Sequence, residues 1–353
     1  MSLTTLPAAE VLQRLHEFDT VIDARSEAEY AEDHLPAALN WPTLNNDERR
    51  DIGTMYKQVN AFEAKKRGAA LAARNIAAHI ERDVIDKPKD WKPLTYCWRG
   101  GKRSGSLSLI LSEIGFRVTL VEGGYKAFRA AVVQDIPRWV SAIDWRVICG
   151  TTGSGKTRLL QALAAQGAQV IDLEALANHR SSVLGAIPGL AQPTQKRFDT
   201  LIWNAVRQLD SARPVFIESE SKKVGNVAVP VSLIEAMRQS PCLNLVLADS
   251  ERVSLLMEDY DFFVRDVEHF CDRLQVLTEF RGKSVVENWQ ASVRAGDIES
   301  VVQELLTQHY DPVYLQSMRR NFKQFENAPL ITPDDHSPEA MAALARQMLT
   351  QRI

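Results

Sequence analysis

Two stretches of the chain carry residues whose types and spacing can do chemistry. The first is GTTGSGKT, Gly150 to Thr157, which has the form G-x-x-x-x-G-K-[ST]. It follows an apolar strand-like run, WRVIC, and opens a helical one. Gly150, Gly153 and Gly155 let the backbone wrap so that successive N–H groups, that of Ser154 among them, face one point. The N-terminus of the following helix adds partial positive charge, Lys156 reaches phosphate oxygens, and Thr157 can ligate a metal ion. Such a cradle reads phosphate, so ATP, GTP or another diphosphate ester would all fit it. It also calls for an acid at the end of a neighbouring strand to hold magnesium. Glu218, directly after the apolar run PVFI, meets that requirement, and Glu220 lies two residues on. Thr157 and Glu218 are therefore the candidate magnesium residues.

The second stretch is YCWRGGKRSGS, residues 96–106. Cys97 closes a strand-like run and is followed by a glycine-containing basic loop and then a helical segment. Arg99, Lys102 and Arg103 sit within six residues of the thiol. Cations and a helix N-terminus lower a thiol pKa from about 8.5 towards roughly 3.5–7.5. The expectation is a thiolate able to attack sulfur, selenium or phosphorus. Cys149 and Cys242, closely flanked by apolar residues, read as buried filler, and the four cysteines show neither a CxxC pair nor zinc spacing.

Both stretches need a sheet to hold them. TVIDAR, PLTYCW and RVTLVEGG read as strands, and SGSLSLILSEIG as a helix closed by Gly115. Residues 60–82 are Ala-rich with helical spacing. The pattern restarts near residue 140: WRVICG, AQVIDLE, RPVFIESE and LNLVLAD read as strands, each followed by helical sequence. Strands alternating with helices indicate parallel α/β sheets. The boundary falls in 130–144, where IPRW is expected to break the helical pattern. This gives a domain 1–138, with a helical insertion at about 43–93, and a second domain 139–353. From about residue 251 the second domain is helical to the end, apart from a proline-rich break at 328–338.

At 353 residues the chain suits two domains, and 45% apolar with 25% charged residues is the composition of a globular protein. No apolar run approaches the roughly 20 residues that cross a bilayer, and the start has no basic leader. A reducing, cytoplasmic setting is expected. Net charge is −3, from 42 Lys+Arg against 45 Asp+Glu, which alone argues against a large nucleic-acid footprint. The cations are nevertheless clustered, at Lys65-Lys66-Arg67, Arg99 with Lys102-Arg103, and Arg319-Arg320 among others. They could be solvated helix faces or parts of one basic stripe. HRSSVLG (His179 to Gly185) could bind a ligand or simply start a helix. Tyr310, Asp311, Arg319 and Arg320 could touch RNA phosphates or form a charged outer face. Trp98 could stack on a base or only pack.

VIDARSEAEYAEDHLPAALNWP resembles the rhodanese superfamily through Asp23, Arg25, Glu29, Tyr30, His34, Leu35, Pro36, Ala38, Asn40 and Pro42. VEGGYKAF resembles that family's late turn at Gly123-Gly124. Two departures stand out. The stretch from Pro42 to Cys97 is long, implying the helical insertion. The loop reads Cys-x5-Arg, one residue longer than in common sulfurtransferases, which puts simple sulfur transfer in doubt. Loops of that length hold a phosphate tetrahedron in the related dual-specificity phosphatases, so a phosphate-bearing donor is favoured.

A rhodanese domain followed by a P-loop domain is similar to the tRNA 2-selenouridine synthases. The similarity runs through IGTMYKQ, FEAKKRGAAL, CWRGGKRS, CGTTGSGKT, LEALANHRSSVLG, QPTQKRFD, FIESESKKVG and YDPVYLQSMRRNF. It implies a reaction on wobble 2-thiouridine in tRNA, with selenophosphate and geranyl diphosphate as co-substrates and an S-geranyl intermediate. A protein that supplies selenophosphate is then a candidate partner. Cys97 would accept selenium or hold the donor, with Arg99 and Arg103 beside it. Lys65, Lys66, Arg67, Arg319 and Arg320 would meet the RNA. Two other readings stand beside this one: a sulfurtransferase or cysteine phosphatase fused to an ATP-dependent kinase, and a non-enzymatic RNA-binding nucleotide switch.

Overall fold

The structure is a computed structural model in which residues 2–180, 182 and 184–351 are described. Ser181 and Val183 of HRSSVLG lie outside the described residues. The chain divides into two compact units, Met1–Ile136 with Pro193–Asn204, and Pro137–Gln192 with Ala205–Ile353. It is an α/β protein in which each unit is built on a five-stranded parallel sheet, and the second ends in a helical C-terminal region.

The first unit is built on five parallel strands: β1 (Ser2–Pro7), β2 (Thr20–Asp23), β3 (Ala38–Asn40), β4 (Pro93–Tyr96) and β5 (Arg117–Glu122). Their order is β1-β5-β4-β2-β3. Every residue of β4 is buried, as a strand covered on both faces requires. β1 and β3 were hidden from the periodicity, because one is an edge strand of mixed polarity and the other has three residues. The insertion forms two helices packed on each other, Asn46–Gln58 and Ala61–Asp83. The first buries none of its side chains, and Tyr56, Val59 and Phe62 at the turn between the two are exposed.

IPRW does not end a helix. The helix Gly124–Val140 runs through Pro137. Proline there removes one bond to the carbonyl of Val133, but Val133 is an exposed residue, so water can serve that carbonyl. The first unit also takes in residues 193–204. There Thr200 Oγ1 and the Tyr125 hydroxyl both donate to Asp33 Oδ2 at 2.9 Å, and Lys196 pairs with Glu32 at 2.7 Å.

The second unit has β6 (Trp145–Cys149), β7 (Gln169–Ile171), β8 (Val215–Glu218), β11 (Cys242–Leu245) and β12 (Leu330–Ile331) in the order β12-β11-β6-β8-β7, all parallel. β9 (Lys223–Val224) and β10 (Val227–Ala228) form a short antiparallel hairpin. The proline-rich stretch is more than a break. It supplies β12, whose exposed Leu330 and buried Ile331 finish the sheet edge. The last helix, Pro338–Gln351, then packs Met341, Leu344 and Met348 on Leu159, Leu160 and Leu163 of the helix Lys156–Ala165. This layer holds the P-loop helix against the sheet.

Candidate functional site

In the second unit the chain leaves β6 at Cys149 and turns back over the sheet into the helix Lys156–Ala165. The turn needs Gly155 in the left-handed region, φ +88°, where a Cβ would lie 2.5 Å from Met341 Cε. Lys156 Nζ donates to the carbonyls of Gly150 (2.8 Å) and Thr151 (3.3 Å), and its third proton remains for a ligand. Arg252 braces the loop from outside, donating to Thr152 O at 2.8 and 3.0 Å while held by Asp311. Asp311 is thus held by Arg252 within the unit. Tyr310 is partly buried in an apolar cluster that includes Tyr260.

Glu218 ends β8 beside Ile148 of β6 and is wholly buried. Its Oε1 lies 3.4 Å from the Glu174 N–H, and its Oε2 has no partner among the described residues. Carboxylate oxygens of Glu174, Glu218 and Glu220 all lie within 4.8 Å of one another. Thr157 Oγ1 reaches Glu174 Oε2 at 3.2 Å. Burial, then Glu174, Glu220 and Asp172, push the Glu218 carboxyl far above its ordinary range, against the pull of Lys156. An orphaned carboxylate oxygen within a set of hard oxygen donors fits a magnesium ion. Sequence reasoning pointed to Thr157, Glu218 and Glu220 but missed Glu174. Its signal was its place two residues past the helix cap Asp172, which directly follows the end of β7.

These groups open into a cavity of about 700 Å³ whose cations include Lys156, Arg158, Arg180, Lys222, Arg238 and Arg320. Arg320 therefore lines this cavity, whereas Arg319 pairs with Glu326 at 3.1 Å, and both residues are exposed. Tyr314 bridges two sides of the cradle. Its hydroxyl accepts from Gly150 N at 2.7 Å and bonds Ser219 Oγ at 2.8 Å, and its ring lies 5.5 Å from Lys156 Nζ. Adjoining the cavity, and sharing Thr152, Leu256 and Tyr260 with it, is a narrow apolar cleft of about 60 Å³ that runs in towards Phe263, Phe270 and Leu305.

In the first unit Cys97 follows β4 and is buried. Gly124 must be glycine, because a Cβ there would lie 2.2 Å from Cys97 O and 2.5 Å from Gly100 N. The turn it makes satisfies the loop carbonyls, with Tyr125 N donating to Cys97 O (2.8 Å) and Lys126 N to Trp98 O (3.0 Å). Among the described residues, no protein acceptor takes the N–H groups from Trp98 to Arg103. The helix Lys102–Ile114 starts at the end of this loop. Of the three loop cations, Arg99 and Lys102 are exposed. Arg103 grips Glu29 with both terminal nitrogens, at 2.6 and 3.3 Å. Burial alone would raise Glu29, but Arg103, the Ser26 N–H and Arg49 bring it below its usual range, so it stays ionised. The group that touches the sulfur is the Ser104 hydroxyl, 3.0 Å from Cys97 Sγ. Sequence reasoning missed it, although it stands one residue beyond Arg103. Trp98 is half-buried, its ring 5.5 Å from that of Tyr125. Cys149, Cys242 and Cys271 are all buried. Lys65, Lys66 and Arg67 are exposed on the second insertion helix, with Lys66 on Glu63 at 2.6 Å.

Residues 143–283 match the family described as tRNA 2-selenouridine synthase AAA domain, and residues 7–131 the rhodanese-like domain. Three relatives bear the name tRNA 2-selenouridine synthase. That of Marinobacter nauticus is 31% identical over 326 residues, 83% of this chain and 87% of its own. That of Sulfurovum sp. is 32% identical over 332 residues, 85% and 89%. That of Nitrosomonas eutropha is 30% identical over 364 residues, 88% and 92%. Among the described residues no helix is long and apolar enough to cross a membrane.

Proposed function

Because the chain belongs to the tRNA 2-selenouridine synthase family, we propose that it exchanges the 2-sulfur of wobble 2-thiouridine in tRNA for selenium in two steps, alkylation by geranyl diphosphate and then replacement with selenium from selenophosphate. The observation that supports the alkylation step is the continuity of a phosphate cradle with an apolar cleft through Thr152, Leu256 and Tyr260. A diphosphate with a hydrocarbon tail needs that pairing. A nucleotide needs polar groups for its base.

A thiocarbonyl sulfur is a poor leaving group, and alkylation makes it a good one. The sulfur attacks the first carbon of the prenyl chain, the carbon–oxygen bond breaks, and the diphosphate takes the electron pair. Lys156 and the loop amides would stabilise the developing charge. Thr157, Glu174, Glu218 and Glu220 would hold magnesium, which when bound neutralises the diphosphate. The cleft is smaller than the roughly 150 Å³ that admits benzene, so Leu256 and Met257 would rotate to admit the chain.

Cys97, with Arg99 and Arg103 on its loop, would serve the selenium step. The exposed cations Lys65 and Arg67 of the insertion, and Arg319, are offered as RNA contacts. The wobble base would have to leave its stack to present its 2-position. The test is nucleoside mass spectrometry of tRNA from cells with and without the gene. Loss of 2-selenouridine with unchanged 2-thiouridine synthesis is expected. Undiminished 2-selenouridine would overturn the reading.

A further inference from the structure

We infer that Cys97 attacks the phosphorus of selenophosphate rather than its selenium, forming an S-phosphocysteine and releasing hydroselenide; the inference rests on the proposed function above and names the chemistry of its second step. Three observations point to phosphorus. First, the Cys97–Arg103 loop offers a row of backbone N–H groups with no protein acceptor among the described residues, closed by a helix N-terminus, which suits the oxygens of a phosphoryl group. Selenium offers no such oxygens.

Second, Arg103 is held in place by a bidentate bond to an ionised Glu29, and a guanidinium has five donors. Glu29 uses one edge, and the rest of the fork is left to the equatorial oxygens of a five-coordinate phosphorus. Third, Ser104 Oγ donates to Cys97 Sγ at 3.0 Å. A hydroxyl so placed stabilises the sulfur as a thiolate twice, when it attacks and when it leaves again.

The electron count favours the same choice. The thiolate pair forms the S–P bond, the P–Se bond breaks, and its pair departs with hydroselenide. Hydroselenide then adds to C2 of the S-alkylated base, the C2–S bond breaks, and the prenyl thiolate leaves with a proton. Water hydrolyses the S–P bond, releasing phosphate and restoring the thiol. Nothing is oxidised or reduced. Attack on selenium would instead put zero-valent selenium on Cys97, and a two-electron reductant would be needed to release it as a nucleophile.

The experiment gives the full-length protein selenophosphate labelled in phosphorus, without tRNA or geranyl diphosphate, then uses acid quench, peptide mapping and 31P NMR. The label should reside on Cys97 and be absent from Cys97→Ser. In Ser104→Ala, where hydrolysis loses its leaving-group support, it should persist at least tenfold longer. Orthovanadate, a five-coordinate phosphate mimic, should inhibit selenation competitively with selenophosphate. A selenium isotope pattern on Cys97 without phosphorus would overturn the inference while leaving the proposed function standing. So would selenated tRNA with no phosphorus adduct in either protein and no vanadate inhibition. A labelled Cys97 in a protein that never selenates tRNA would sink the proposed function and spare the phosphoryl chemistry.

Discussion

Replacing Glu218 with glutamine should make the protein more stable and less able to bind its ligand. Glu218 is wholly buried, and oxygens of Glu174 and Glu220 lie within 4.8 Å of its own. At an effective dielectric constant near 20, two unit charges at that separation repel by about 3.5 kcal/mol. Burial first, and then these acidic neighbours, raise the Glu218 carboxyl well above its ordinary range and so disfavour its ionised form. An acid with a raised folded-state pKa binds more protons folded than unfolded. The stability it contributes is full below the ordinary carboxyl pKa and is lost as pH rises through the raised value. Glutamine keeps the shape and never ionises. At pH 8, without ligand, Glu218→Gln should therefore lead by about 1–2 kcal/mol, or roughly 2–8 °C in Tm for a unit of this size. Near pH 5 the two proteins should converge.

Magnesium with inorganic pyrophosphate should reverse the order. Wild type gains about 2.7 kcal/mol at a hundredfold excess over Kd, releasing the Glu218 proton as it binds. The glutamine variant should gain little. Thermal unfolding at both pH values, with and without magnesium pyrophosphate, reads all four states. A variant less stable than wild type at pH 8, or equally stabilised by the ligand, would refute the placing of a cation among these carboxylates.

Gly155→Val should abolish binding of geranyl diphosphate by calorimetry, since its Cβ meets Met341 at 2.5 Å in a left-handed backbone position. Lys156→Ala should weaken the same binding by tenfold or more without unfolding the protein, and unchanged affinity in both would move that substrate elsewhere. For tRNA, Lys65→Glu and Arg67→Glu should each flatten the slope of log affinity against log salt by about 0.7–0.9. Arg320→Glu should leave that slope alone and weaken pyrophosphate binding, because the residue lines the same cavity as Lys156. Wild-type slopes in both insertion variants would remove the insertion from the RNA interface.

What could be read without coordinates followed the range of the interaction involved. Gly150–Thr157 and Cys97–Arg103 are local loops, each set between a strand and a helix, so their residues and spacing carried nearly all of their geometry. Glu218 was legible because a strand end fixes its place relative to β6. Partners brought in from distant sequence left little trace. Tyr314 reaches Gly150 across 164 positions, and Arg252 reaches Thr152 across 100. Neither carries a local pattern that distinguishes it from an ordinary helical residue. Arg320 shows the same limit from the other side, because Arg319 and Arg320 look alike in sequence. Adjacent residues on a helix point about 100° apart, so one pairs with Glu326 while the other lines the cavity. The Cys97 loop shows the limit within a motif. Three cations next to a thiol suggest a field acting on the sulfur, yet Glu29, 74 positions away, engages Arg103. That engagement turns a source of charge into an oriented fork, and an oriented fork is of more use to a phosphoryl group than to a lone selenium atom.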